Sequence, residues 1–512
     1  MESLTRPGLQ FRISAAGATP LVNALRSRRP GIPALGLAYL WPTLFTALGG
    51  FLWGFDTGSV GPITVMPQFE HQFGPISATV QGLFVSSIIA TAALSSLFSG
   101  TLSDRISRTY TISLGAFLFS VGCAIACSAT SLAQLFCGRC ITGFGQGVFI
   151  SSITVYVMEI SPTSKRGRTM TTVQLFNVIG VASGYFTCFG TVKRAGSFSW
   201  RFPIALQAVV AMTLAIGTPF LAHSPHWLLH VGRALEAEAA ASKFGLQFSE
   251  VRRDEAAAGG PATDISKLSL VGQAKQLWAR DVRFRTLFAL FLMGMQQACG
   301  IDAVLYYAPV LFQQAGLSSA SASFLASGVS GVLMVVFTAG SQVFQDKWSR
   351  RTQMIGGGSV IGGCMLIMGI LYATNGAQTT AGKHTLMALI YIFIAAFIST
   401  WAVVIRVIAS EMQPKRTRAP ATSLAQCFSW VVNWIIAFST PLFLNRSSSG
   451  PYFMFGCCAL LTVIVCTMFQ PETKGISLEA LDQGFTDTKV QAAMKKFFRS
   501  KPEQGQSTAV EL

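Results

Sequence analysis

The sequence predicts an all-α membrane protein with twelve transmembrane helices arranged as two pseudo-symmetric halves of six. Apolar residues make up 51% of the chain and charged residues only 12%, about half the usual share in a soluble protein. Twelve apolar stretches reach the roughly 20 residues that a helix needs to cross a bilayer. Two charged motifs also occur twice with nearly the same separation, which indicates two halves built on one plan.

The apolar stretches fall into two groups of six. The first group lies near 40–65, 79–100, 110–128, 131–157, 170–190 and 203–222. The second lies near 284–314, 323–345, 353–374, 386–410, 421–444 and 452–470. We therefore expect an N-terminal half over 36–222 and a C-terminal half over 283–470.

The segments outside the two halves are short and polar. Residues 1–35 show no apolar stretch of the kind found in a signal peptide. Residues 223–282 contain Ala- and Glu-rich stretches at 235–244 and 265–279, which predict a helical linker. Residues 471–512 form a polar tail. None of these segments is large enough for a catalytic domain.

The duplicated motifs lie at the ends of apolar stretches. DRISR at 104–108 matches DKWSRR at 346–351 with an offset of 242 residues, and a Glu-x6-Arg pair recurs with an offset of 252. A duplicated polytopic membrane protein is usually a transporter with its substrate site between the halves. The charged positions of these motifs are Asp104, Arg105, Arg108, Glu159, Arg166, Asp346, Arg350, Arg351, Glu411 and Arg418.

Basic residues are concentrated in alternate loops. The loops after the second, fourth, eighth and tenth spans carry eleven Lys and Arg residues, whereas the alternate loops carry five. By the positive-inside rule, we expect the basic loops, the linker and both termini on the cytoplasmic side of the bilayer. The net charge of +17 is thus a topology signal, and we expect no nucleic-acid partner.

Two ionisable residues lie inside spans, where an unpaired charge costs roughly 2.5–3.5 kcal/mol. Asp56 lies in the first span within GFDTG, and Arg139 lies in the fourth. The proton affinity of a buried acid beside an arginine depends on whether the pair is closed, which is what proton coupling requires. The alternative is a static ion pair that holds the N-terminal half together.

We expect neither an enzyme nor a resident cofactor. The chain has no His/Glu zinc motif and no serine nucleophile elbow. His223, His226 and His230 could share one helical face, but three weak ligands on an exposed helix are common by chance, so we expect no metal site. A proton gradient is the expected energy source.

Nine motifs in a fixed order carry a family resemblance. They are GFDTG at 54–58, DRISR at 104–108, GRCITGFGQG at 138–147, YVMEISPTSKRG at 156–167, Gln174-Leu175, WRFP at 200–203, QQACGIDAVLYYAPVLF at 296–312, DKWSRR at 346–351 and SEMQPKRTR at 410–418. With them the chain resembles a sugar porter of the major facilitator superfamily over essentially all twelve spans, and it is most similar to fungal proton-coupled members. The resemblance implies the major facilitator fold and transport of a monosaccharide or similar small molecule by alternating access.

The resemblance also implies roles for individual residues. Asp56 and Arg139 match the coupling pair of proton symporters, and Tyr306 and Tyr307 match an outer gate. The duplicated charged motifs resemble a cytoplasmic salt-bridge gate that is closed in the outward-open state and broken in the inward-open state. We expect a monomer in the plasma membrane. Sugar-binding positions are matched by Gln174, Gln296, Gln297, Trp430 and Asn433.

Several positions depart from the family pattern. Asp302 stands where the family has asparagine, Arg406 where it has tryptophan, and Met334 where it has a further asparagine. Ser107 and Ser349 replace the glycines of the two DRxGR-type loops. Compared with a hexose site, this site has lost two amides and a tryptophan and has gained one acid and one guanidinium.

Three explanations of the two new charges stay open. Asp302 and Arg406 could form an ion pair that leaves room for a neutral substrate, since unpaired charges at this depth are costly. Arg406 could instead bind the carboxylate of a uronic, aldonic or cyclitol acid. Otherwise the tenth span aligns differently, or Asp302 is a second protonatable acid.

Two further functions are compatible with the same fold. An exporter of a small metabolite would share these motifs, because the direction of transport follows gradients more than sequence. A transport-inactive nutrient sensor usually needs a long signalling tail, whereas the tail here has about 40 residues.

Overall fold

The computed structural model describes residues 38–162, 165–258, 275–279, 282–316, 320–344, 348–414 and 417–471. All regular elements in these ranges are helices. Eleven helical segments in them are long and apolar enough to cross a membrane. The N-terminal 37 residues, most of the 265–279 stretch and the tail beyond 471 lie outside the described residues.

The N-terminal half contains six spans. The first is split at Ala47, and its second part has 17 residues, so it adds to the eleven longer segments and completes the twelve expected spans. The helices of this half are α1 (Leu40–Thr46), α2 (Leu48–Thr64), the short α3 (Pro67–Phe73), α4 (Ala78–Ile106), α5 (Arg108–Cys127), α6 (Leu132–Ile160), α7 (Arg166–Thr191) and α8 (Phe198–Gly217).

Three short helices follow in the region of the expected linker. They are α9 (Pro225–His230), α10 (Ala234–Phe244) and α11 (Phe248–Ala258). The second of these coincides with the predicted helical stretch at 235–244. Gly245 ends it in the left-handed conformation, with a φ of 70°.

The C-terminal half contains the other six spans. Its helices are α12 (Arg283–Ala298), α13 (Ile301–Tyr306), α14 (Ala308–Gln314), α15 (Ala320–Phe344), α16 (Arg350–Ala373), α17 (Thr380–Ser399), α18 (Trp401–Glu411), α19 (Arg418–Arg446) and α20 (Gly450–Phe469). The first three form the seventh span, which is interrupted.

The interruption between α12 and α13 has a local cause. Gly300 adopts a left-handed backbone with a φ of 86°, and a Cβ at this position would overlap the ring of Phe455. Only glycine meets both conditions without strain. The break turns the chain just before Asp302, which therefore begins a new helix at the level of the site.

The tenth span is also interrupted, which the sequence did not predict. Thr400 separates α17 from α18 with a φ of −124° and a ψ of −70°. Its hydroxyl donates a 2.6 Å hydrogen bond to the carbonyl of Ala396, and such back-bonding often bends helices. The break turns the helix that carries Arg406.

Each half has its own apolar core. One cluster of buried side chains is drawn mainly from α12 to α20, and the other mainly from α1 to α8. In the N-terminal half, α2 and α7 lie so close together that a Cβ on Gly54 or Gly58 would overlap backbone carbonyls of α7. Glycine at these positions permits this close packing. Asp56 lies between these two glycines and is therefore fixed in the middle of the half.

Candidate functional site

The two ionisable residues predicted inside the N-terminal half lie together. Nη1 of Arg139 on α6 donates a short hydrogen bond to Oδ1 of Asp56 on α2. The guanidinium is also 5.1 Å from the ring centre of Phe84. Only 4% of Asp56 and 6% of Arg139 is exposed. Each charge is thus compensated by the other in a region where an isolated charge would be costly.

A small cavity adjoins this ion pair. Its volume is about 10 Å³, roughly the space one water molecule needs. Besides the pair, its polar lining comprises Ser59, Thr142 and Gln207, and Nε2 of Gln207 donates a 3.2 Å hydrogen bond to Oγ of Ser59. Gln207 was not among the residues predicted from the sequence. The signal available in the sequence was that Gln207 is an amide side chain within the apolar sixth span.

Asp302 has a different partner from Arg406, which the sequence analysis considered. Nδ2 of Asn433 on α19 donates a 2.6 Å hydrogen bond to Oδ2 of Asp302. Arg406 lies within electrostatic range of Asp302, but within the described residues no ion pair shorter than 4 Å joins the two. The closed Asp302–Arg406 pair is therefore not formed in this conformation.

Arg406 lies instead beside an aromatic ring. Its guanidinium carbon is 6.0 Å from the ring centre of Trp53 on α2, and its buried Nε has no hydrogen-bond partner. Trp53 in turn is 5.5 Å from Trp430 on α19, measured between ring centres. These contacts place Arg406 between the halves. Trp53 was likewise not predicted from the sequence, because its neighbours come from distant parts of the chain.

Three of the predicted sugar-binding amides are buried, and two of them bond to neighbouring helices. Nε2 of Gln296 donates a 3.0 Å hydrogen bond to the carbonyl of Trp401, and Nε2 of Gln297 donates a 3.1 Å bond to Oγ of Ser429. The amide oxygens of Gln296, Gln297 and Asn433 are buried without a hydrogen-bond partner. Gln174 lies half-buried on α7. The site thus offers several unfilled acceptors.

The two halves touch at the end opposite the basic loops, which we call the far face. A Cβ on Gly61 of α2 would overlap the carbonyl oxygen of Tyr306 on α13. The hydroxyl of Tyr185 on α7 donates to the carbonyl of Leu305. Tyr307, the other predicted gate residue, is buried and donates a 2.7 Å hydrogen bond to the carbonyl of Ala437.

One side of α4 packs against the other half near the far face, and no such contact is described on that side near the basic loops. A Cβ on Gly82 would overlap the carbonyl of Phe438 on α19. Gly100 lies on the same side of α4, since 18 residues are five helical turns. A Cβ at Gly100 would meet no atom of the described chain within 4 Å. At Gly82, α4 thus touches α19 of the other half, whereas no such contact is described at Gly100.

Three of the predicted gate residues form one cluster within the N-terminal half. Nη1 of Arg108 lies 2.7 Å from Oδ1 of Asp104. Nε and Nη2 of Arg108 donate to both carboxylate oxygens of Glu159 at 3.0 and 2.9 Å. Arg105 is exposed. Asp346 and the side chain of Arg418 lie outside the described residues, whereas Arg166, Arg350, Arg351 and Glu411 are at helix ends on the same side as this cluster.

Ser107 retains the backbone geometry expected of the glycine it replaces. Its φ is 95°, in the left-handed region that side chains rarely adopt. Its hydroxyl lies 2.8 Å from Nδ1 of His223, which is also 3.0 Å from the hydroxyl of Thr109. The tight turn between α4 and α5 is therefore preserved without glycine. Ser349, in contrast, has an ordinary φ of −62° and caps α16.

Comparison with known proteins gives a consistent result. A family model described as sugar (and other) transporter matches residues 43–485. The chain is 28% identical over 464 residues to a sugar transport protein of Oryza sativa, with 86% of this chain and 90% of the relative covered. It is 30% identical over 443 residues to the glucose transporter GlcP of Staphylococcus epidermidis, with 85% and 95% covered.

A sensor is also among the relatives. The high glucose sensor of Saccharomyces cerevisiae is 29% identical over 467 residues, which cover 86% of this chain and 60% of the sensor. Among solved structures, the inward open conformation of the xylose transporter XylE of E. coli superposes with a TM-score of 0.71. It is 22% identical and covers 87% of this chain and 99% of XylE. At this identity, the likeness establishes the fold.

Proposed function

Because the chain belongs to the sugar (and other) transporter family, we propose that it carries a monosaccharide or a similar small molecule together with a proton, by alternating access. The family is one of integral membrane transporters rather than enzymes. Relatives named as sugar and glucose transporters support the substrate class. A structural neighbour named as a proton:xylose symporter has the same fold.

The observation that carries the proton-coupling proposal is the buried Asp56–Arg139 pair beside a cavity of water size. A proton that reaches Asp56 through this cavity neutralises the carboxylate and releases Arg139. Because the loss of an ion pair in a low-dielectric region changes the local energy by several kcal/mol, the event can bias the arrangement of the helices.

The helix that holds Asp56 also reaches the substrate site and the far face. Along α2, Trp53 lies beside Arg406 and Trp430, Asp56 bonds to Arg139, and Gly61 contacts the backbone of Tyr306. Asp56 is therefore three residues from Trp53 at the substrate site and five residues from Gly61 at the contact between the halves. This arrangement supports coupling through a rigid helix.

We assign the described conformation to the inward-facing state. The halves touch at the far face, and the interface along α4 is uncovered at Gly100. The basic loops are at the uncovered end, and the positive-inside rule assigns that end to the cytoplasm. In this state, Arg108 bonds to Asp104 and Glu159 of its own half. We further propose a plasma-membrane monomer with cytoplasmic termini.

The decisive experiment is transport in proteoliposomes by Asp56→Asn. We expect uphill accumulation driven by a pH gradient to be lost while counterflow of labelled substrate persists, because the site still alternates without a proton carrier. Glu70→Gln, which changes an exposed acid on α3, is the matched control. Uphill accumulation that survives in Asp56→Asn would remove Asp56 from the coupling mechanism.

A nutrient sensor is the second candidate, because one relative is named as a high glucose sensor. Counterflow separates the two functions: a carrier exchanges labelled for unlabelled substrate across the bilayer, whereas a transport-inactive sensor does not. Exchange above that of protein-free liposomes would exclude the sensor.

A further inference from the structure

A guanidinium lies in the site between the halves without a carboxylate partner in the described part of the chain. Arg406 contacts Trp53, and its buried Nε has no acceptor. The nearby acid, Asp302, already accepts a 2.6 Å hydrogen bond from Asn433. Contact with an aromatic ring holds a guanidinium in place, but it does not neutralise its charge. Within the described residues, the guanidinium donors of Arg406 therefore remain available to a carboxylate.

The groups around this position favour hydroxyl donors. The buried oxygens of Gln296, Gln297 and Asn433 have no partner, and an amide oxygen accepts hydrogen bonds. A ligand with hydroxyl groups would give each of these three buried oxygens a donor. Three acceptors beside one guanidinium match a molecule with several hydroxyl groups and one carboxylate.

The contacts that surround the position are continuous. Gln296 bonds to the first residue of α18, the helix of Arg406, and Gln297 bonds to Ser429, one turn before Asn433 on α19. Trp53 and Trp430 complete the ring of side chains from the opposite side. Their faces can cover the apolar side of a carbohydrate ring.

We propose that the substrate is a sugar acid or cyclitol acid whose carboxylate is bound by Arg406 and whose hydroxyls donate to the amide oxygens of Gln296, Gln297 and Asn433. This inference rests on the proposed function and names its substrate class. Arginine suits the task because its planar fork binds a carboxylate through two parallel hydrogen bonds. Asp302 bonds to Asn433 and forms no ion pair with Arg406 in this conformation.

The charge balance of the cycle follows from this assignment. Asp56 with Arg139, and Asp302 with Arg406, sum to zero when all four are ionised. A bound carboxylate adds one negative charge, and one transported proton cancels it. Transport of the acid with one proton is then electroneutral, whereas transport of a neutral sugar with one proton moves one positive charge across the membrane.

The test is counterflow in proteoliposomes with matched pairs of substrates: D-galactose against D-galacturonate, D-glucose against D-glucuronate and D-gluconate, and myo-inositol against quinate as the cyclitol acid. We expect the wild type to exchange at least one acid faster than its neutral partner. Arg406→Gln should slow exchange of the acid by roughly 10- to 100-fold, the usual effect of losing a charged hydrogen bond. Arg446→Gln removes an exposed arginine at the end of α19 and is the matched control.

Two negative outcomes have different meanings. If the wild type exchanges the neutral sugars and none of the acids, the carboxylate assignment is wrong while the sugar carrier stands. If it exchanges none of these compounds, the proposed function fails, and this inference fails with it. Equal losses on acid and neutral sugar in Arg406→Gln would also overturn the assignment, because Arg406 would then act on the site as a whole.

A measurement on the wild type keeps the proposal testable if the Arg406 variants do not fold. Uptake driven by a pH gradient is measured with the membrane potential set by potassium and valinomycin. We expect uptake of the acid to be unchanged between zero and a negative interior potential. Acid uptake that rises with the negative potential would show net positive charge movement and would contradict the charge balance.

Discussion

Asn433 donates a 2.6 Å hydrogen bond to Asp302 and so engages an acid that lies within electrostatic range of Arg406. Asn433 and Asp302 come from different spans of the C-terminal half. In this conformation Asp302 bonds to Asn433, and within the described residues Arg406 has no carboxylate partner.

The bond between Asn433 and Asp302 should be visible as energetic coupling. In a double-mutant cycle with Asn433→Ala and Asp302→Asn, we expect a coupling energy of about 1–3 kcal/mol in the free energy of unfolding. A cycle with Arg406→Gln and Asp302→Asn should give a weaker coupling, because the latter pair is not closed. Thermal unfolding in detergent measures both cycles. Stronger coupling between Arg406 and Asp302 than between Asn433 and Asp302 would show that the ion pair dominates.

The ion pair of the N-terminal half should respond differently to single and double replacement. Asp56→Asn or Arg139→Gln alone leaves one buried charge without its partner, which typically destabilises a protein by roughly 3–5 kcal/mol. Asp56→Asn with Arg139→Gln removes both charges, and we expect it to recover much of the lost stability. The midpoint of thermal unfolding checks this. A double variant no more stable than the worse single variant would contradict the expectation.

The cavity beside Asp56 should matter for proton access. Gln207→Leu removes the amide that bonds to Ser59 and makes the cavity more apolar, so water should enter it less readily. We expect slower proton-driven accumulation with counterflow retained. Initial rates of both processes in the same liposomes give the comparison. Equal slowing of both would assign Gln207 a structural role instead.

The two glycines of α4 should have opposite effects on the conformational equilibrium. Gly82→Leu introduces a side chain against the backbone of Phe438 and should favour the state that is open at the far face. Gly100→Leu enters open space in the described state, and we expect it to hinder closure at the basic loops. Labelling of a single cysteine in the substrate site by membrane-impermeant reagents from each side measures the bias. The same direction of change in both variants would contradict the inward-facing assignment.

The spans and the ionisable residues could be predicted because both are local features of the sequence. Long apolar stretches mark helices that cross a membrane, and a charge inside such a stretch is conspicuous by its cost. The break at Thr400 could not be read from the apolar pattern, which continues through it from 386 to 410. The break is accompanied by a hydrogen bond from the Thr400 side chain to the backbone.

The partners within the site were less predictable than its members. Asp302, Arg406 and Asn433 could all be identified from the sequence, but the choice between Arg406 and Asn433 as the partner of Asp302 could not be made there. That choice depends on distances set by the packing of α13, α18 and α19. Trp53 and Gln207 were missed for the same reason, since their contacts join spans that are far apart in the chain.

The separate apolar cores of the two halves have a consequence for evolution as well as for motion. Because most of each apolar cluster comes from one half, a polar group gained or lost at the seam between the halves reaches only the edge of either core. The two charges of Asp302 and Arg406 can then change what the seam binds while the packing of each half is kept.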